Sequence, residues 1–209
     1  MTSASRIGYW SALTAFVAAI GYGVVQILQL TGGLTFPWDE VWIFGFSICI
    51  APPFVLSMVA LHRAMPEQKR IWTSSAIAMA IMYATLVTIV YPTQLAVVIP
   101  ERLAGDSSDV QFLMVTPHTF MWVIDGAGYL LMGLSTLFAA GAFAGTSSHR
   151  WLRWFLIANG LLDPLIIAIY MVPDLLPLGS LWLITAPGSM LLLARYFRRM
   201  DASFNCAPG

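Results

Sequence analysis

With 59% of its 209 residues hydrophobic, only 10% charged and a mean hydropathy of +0.79, the chain lies outside the range of soluble globular domains and reads as a multi-pass membrane protein. Ten basic residues balance ten acidic ones and form no basic stripe, which argues against a nucleic-acid partner. Cys49 inside an apolar run and Cys206 in the tail would lie at different depths, which excludes a disulfide framework or a cysteine metal site.

Several runs exceed the roughly 20 apolar residues that a helix needs to cross about 30 Å of hydrocarbon. The alternation of an outer-membrane barrel is missing. An all-α integral membrane fold with six transmembrane helices is therefore expected, as a single domain over 1–200 followed by a short tail, 201–209.

The first apolar run, about Ile7 to Leu30, is too long for the hydrophobic region of a signal peptide and reads as a retained helix. A turn through Gly32 and Gly33 leads to span two, about Val41 to His62, and a charged hairpin follows from Arg63 to Arg70. Span three runs from about Trp72 to Ile99. The longest connection, Pro100 to Pro117, comes next; in it Asp106 or Ser107 is placed to cap a short helix through Asp109–Met114, a natural lid. Span four covers about His118 to Ala144 and span five about Trp151 to Val172. The Pro173–Pro177 turn then leads into span six, which ends near Arg195.

Basic residues favour the cytoplasmic side of short loops. In a six-span reading Arg6, Arg63, Lys69, Arg70, Arg150, Arg153, Arg195, Arg198 and Arg199 share one face, and Arg102 stands alone on the other. Both termini are therefore expected in the cytoplasm, with the chain in the cell inner (plasma) membrane. Trp10, Trp38, Trp42, Trp72, Trp151 and Trp154 fall near span ends, as interfacial anchors do. His62 and His149 fall in the charged turns and read as solvated.

The polar groups inside the spans carry the functional expectation. Asp125 lies about 10 Å below the outer end of span four, at 1.5 Å per residue, and an ionisable group at such depth marks function by default. His118, Trp122, Asp125 and Tyr129 follow at i, i+4, i+7 and i+11, which places an imidazole, an indole, a carboxyl and a phenol on one face. Asn159, Asp163 and Tyr170 form a comparable stripe on span five, Tyr91 and Gln94 belong to one on span three, and Gln26 lies in the outer part of span one. Proline inside spans at Pro52, Pro53, Pro92, Pro164 and Pro187 frees backbone carbonyls and leaves room between helices.

These stripes predict a shared polar and aromatic cavity opening outward. Asp125 and Asp163 are the candidate catalytic acids, and His118, Trp122, Tyr129, Gln26, Tyr91, Gln94, Asn159 and Tyr170 are the candidate ligand-binding residues. No histidine pair shares a core face, and no phosphate-loop, nucleophile-elbow, zincin or C-x-x-C motif occurs, so no metal or cofactor is expected. The leading reading is binding or transport of a small hydrophobic or amphipathic molecule within the lipid bilayer. An intramembrane isomerase or cyclase using Asp125 and Asp163 is the alternative enzyme, and an accessory subunit with structural polar residues is the third reading.

Overall fold

The computed structural model describes residues 3–105, 108–145 and 149–205, with side chains as far as Met200. The regular elements are α1 (Ser3–Leu30), α2 (Trp38–Ala64), α3 (Arg70–Thr93), α4 (Ile99–Ala104), α5 (Phe120–Gly141), α6 (Arg150–Gly160), α7 (Asp163–Met171) and α8 (Trp182–Asn205). A π-helical turn over Gln94–Val98 joins α3 to α4, and 3₁₀ segments lie at Glu67–Lys69, Gln111–Leu113 and Pro173–Leu181. Six segments are long and apolar enough to cross a membrane: Ser3–Leu30, Trp38–Ala64, Glu67–Ala104, Phe120–Gly141, Arg150–Met171 and Pro173–Met200.

The first hairpin shows how local chemistry sets these boundaries. Helix α1 ends in a left-handed residue, Gly32 at φ 73°, whose N–H donates to the Gln29 carbonyl while Gly33 donates to Leu28 at 2.8 Å. This is a Schellman-type stop, which only glycine adopts without steric cost. Helix α2 opens with Asp39 and Glu40 in its first turn and closes with His62 and Arg63 in its last, each sign matched to the helix dipole. The Gln29 amide donates to Asp39 at 2.8 Å and closes the corner between the two helices.

Packing joins the spans into a closed ring: α1 lies between α2 and α8, α3 between α2 and α5, and α6 between α5 and α8, with α7 also against α5. Lipid tails are as apolar as leucine, so close backbone approach rather than water exclusion holds such helices together. The seams are accordingly built from small residues, with Ala12, Ala15, Ala18 and Ala19 buried on α1, Ala76 and Ala80 on α3, and Ala139 and Ala140 on α5. Long side chains such as Met58, Leu61, Phe143, Leu156, Leu193 and Phe197 fill the half of the ring nearer the chain termini to near-zero exposure. All six tryptophans expected as interfacial anchors lie on the outer surface, whereas Trp182 is buried and Trp122 half-buried.

Span five is not continuous. Helix α6 stops at Gly160 and α7 begins at Asp163, because Pro164 has no N–H for the preceding turn and pre-sets the first turn of a new helix. The expected lid helix is also absent among the described residues: a single 3₁₀ turn, Gln111–Leu113, occupies that stretch, and Asp106 and Ser107 lie outside the described residues. His118 does not belong to span four. It is exposed, with a left-handed backbone (φ 69°), and Thr119 is the N-cap whose hydroxyl accepts from the Trp122 N–H. The two turn histidines are not freely solvated either. His62 shares a 2.9 Å hydrogen bond with Thr73, and His149 packs edge-on against Tyr196 and Phe143.

Candidate functional site

A cavity of about 460 Å³ occupies the half of the ring away from the chain termini, a volume within the range of small-molecule sites. Its wall is drawn from every span: Tyr22 and Gln26 from α1, Phe44 from α2, Tyr91 from α3, Trp122, Asp125 and Tyr129 from α5, Tyr170 from α7 and Trp182 from α8. Gln94 from the π-turn and the loop residues Met114–Thr116 close another side. The helical repeat explains the α5 contribution, since Trp122, Asp125 and Tyr129 recur at i, i+3 and i+7 on one face.

The rings brace one another. Trp182 meets Tyr22 and Tyr129 edge-on at centroid distances of 5.5 and 5.4 Å, and the Tyr129 hydroxyl donates to that of Tyr22 at 3.4 Å. Trp122 leans on Tyr170 at 5.4 Å, and Phe44 stacks on Tyr91 at 5.9 Å. Edge-to-face and offset contacts of this kind fix ring orientation as well as adding stability.

Asp125 is the carboxylate of this cavity. Its carboxylate lies beside the Tyr91 hydroxyl, and its Oδ1 is enclosed and has no hydrogen-bond partner among the described residues. The indole N–H groups of Trp122 and Trp182 are likewise enclosed without an acceptor. Unpaired polar atoms in a membrane interior are costly. At the cavity rim, Arg102 Nη1 stands 2.6 Å from both carboxylate oxygens of Glu40, and its guanidinium lies 4.1 Å above the Phe36 ring. Both ends of that ion pair are therefore already engaged.

The structure brings Asp125, Trp122, Tyr129, Gln26, Tyr91, Gln94 and Tyr170 to this one cavity and leaves three sequence-nominated residues outside it. His118 is excluded because the helix starts after it. Asn159 is spent on structure: its amide donates to Thr136 at 3.2 Å and its carbonyl oxygen accepts from Thr185 at 3.0 Å, tying α6 to α5 and α8. Only a void of about 10 Å³ adjoins it, too small for a ligand. Asp163 sits at the break in span five, buried, with its carboxylate against the bare backbone of Gly133 and neither oxygen hydrogen-bonded among the described residues.

Several wall residues escaped the sequence reading. Trp182 follows a proline-rich segment that reads as a turn, and the largely exposed 3₁₀ run Pro173–Leu181 adds Leu176, Pro177, Gly179 and Ser180 to the residues along the cavity. Glu40 and Arg102 could have been paired from sequence, because Arg102 is the lone basic residue at its end of the bundle and an acid faces it there. No protein-family profile matches the chain, and neither curated proteins nor solved structures yield a match.

Proposed function

We propose that this protein binds a small amphipathic molecule inside its helical ring, at the end away from the chain termini. The single observation that carries this reading is Asp125, a carboxylate left incompletely paired in the wall of a roughly 460 Å³ aromatic cavity. Among the described residues, Asp39 and Asp163 also carry unpaired oxygens, but Asp125 is the one of the three that lines a space large enough for a ligand. Closure of the opposite half by Met58, Leu61, Leu193 and Phe197 makes the site one-sided, the state in which a binding protein, or a transporter in one of its two conformations, holds its ligand. The distribution of basic residues supports that side facing outward, with both termini cytoplasmic.

Acid–base catalysis is less well supported, because the second carboxyl of such a mechanism lies elsewhere. Asp163 does not line the cavity.

Native mass spectrometry of the full chain, purified in mild detergent, tests the reading. The wild-type protein retains a small molecule, and an Ile166→Trp chain, in which an indole fills the cavity, does not. Equal retention by both chains would place the molecule on the lipid-facing surface and remove the basis for this function.

A further inference from the structure

The charges around the cavity do not balance. Asp125, Glu40 and Arg102 are its charged wall residues, and Arg102 is held by Glu40 at 2.6 Å and covered by Phe36. Among the described residues, Asp125 therefore has no protein cation opposite it. Nearby, Asp39 adds a further acid: it accepts from Gln29, and its second oxygen is enclosed without a partner among the described residues. An anionic ligand seated beside Asp125 would meet like charge. With a neutral ligand the Asp125 carboxyl would have to be neutralised by a proton instead of by the ligand.

The rings supply what a cation needs. Tyrosine and tryptophan faces attract ammonium groups through the negative face of the ring, most strongly where water is excluded. Tyr22, Tyr91, Trp122, Tyr129, Tyr170 and Trp182 surround the carboxylate in one cavity. The Asp carboxyl also turns readily about its terminal torsion, so the enclosed Oδ1 is within reach of a charge entering the space.

We infer that the ligand is an amphipathic organic cation, an ammonium carrying an apolar group, seated with its charge beside Asp125. This rests on the cavity being a binding site.

The test compares benzoylcholine with 3,3-dimethylbutyl benzoate, which has the same shape and ester but a carbon in place of the charged nitrogen. Equilibrium binding is measured to the full chain in nanodiscs, with the Ile166→Trp chain subtracting partition into lipid. The cation is expected to bind the wild-type cavity at least about tenfold more tightly than its isostere, the size of one well-placed charge interaction at about 1.4 kcal/mol. Asp125→Asn is expected to abolish that preference by weakening the cation alone. Should the neutral isostere bind the wild-type cavity as tightly as the cation, the cationic class is wrong and the binding site stands. Failure of both probes to exceed the Ile166→Trp background at millimolar concentration overturns the class and the site together. If Asp125→Asn does not fold, the comparison of the two probes on the wild-type chain decides by itself.

Discussion

The side-chain amide of Gln94 donates to the main-chain carbonyl of Leu113 across 2.6 Å, joining the π-turn at the end of span three to the loop that leads into span four. Gln94 is 1% exposed, so little water competes for this bond. It fixes the strand of loop, Met114–Thr116, that walls one side of the cavity. A π-turn accommodates one more residue per turn than an α-helix and often marks a functional position. Here it follows Pro92 by two residues, where the helical ladder is already interrupted.

Replacing Gln94 by leucine leaves the Leu113 carbonyl without its donor. The expected cost is about 1–3 kcal/mol, read as a lower Tm in detergent, with faster amide exchange confined to residues 108–119. Unchanged exchange in that loop would mean that packing, not this hydrogen bond, holds it.

The seam between α5 and span five depends on two absent side chains. A Cβ on Gly126 would overlap the Tyr170 ring and hydroxyl, and one on Gly133 would overlap the Asp163 carboxylate. Gly45, by contrast, has open space around it. Gly126→Ala and Gly133→Ala are each expected to destabilise by about 1–3 kcal/mol through overpacking. Gly45→Ala is expected to be neutral or to stabilise by up to about 1 kcal/mol. Thermal melts of the three chains under one set of conditions give the ranking, and a Gly133→Ala chain as stable as Gly45→Ala would refute the close approach.

Asn159 ties three helices without touching the cavity. Asn159→Leu removes its bonds to Thr136 and Thr185, and with interhelical hydrogen bonds averaging about 0.6 kcal/mol and reaching about 1.7, a loss of about 1–2 kcal/mol follows. Ligand retention in native mass spectrometry should be unaltered in the molecules that remain folded. A selective loss of ligand from a stable Asn159→Leu chain would restore this residue to the binding site.

At the other end of the bundle, His149 lies in the connection between α5 and α6, edge-on to Tyr196 at 5.0 Å. Burial first and the Arg199 charge second hold its pKa below the ordinary 6.5. Its neutral form is thus the one the fold prefers, so the unfolded chain takes up the proton first as pH falls. The contribution is complete above the unfolded value near 6.5 and is lost as pH drops from there toward the lowered folded value. Tm measured from pH 8 to pH 5 should therefore fall more steeply for the wild type than for His149→Gln, and parallel curves would argue against the coupling.

The number and length of the spans were legible because hydropathy is summed along a segment and needs no knowledge of neighbours. The inward-facing stripe of α5 was legible from Trp122 onward for a related reason, since helical periodicity ties Trp122, Asp125 and Tyr129 to one another whatever surrounds them. The same periodicity misassigned His118, because the Thr119 cap starts the helix at Phe120, two residues later than an unbroken repeat suggests. It misassigned Asp163 and Asn159 for another reason. Both are buried and polar, but a one-dimensional stripe does not distinguish a side chain aimed at a cavity from one aimed at Gly133 or Thr136 on a neighbouring helix.

By itself, then, the amino-acid sequence determined a helical membrane chain with six segments fit to cross a bilayer and an acid among aromatic residues on the fourth of them. Only the tertiary structure decided which polar residues share a space. That depends on the azimuth of each helix and on where the π-turn after Pro92 and the 3₁₀ run Pro173–Leu181 come to lie, and these are set by contacts between segments far apart in the chain rather than by the composition of any one segment.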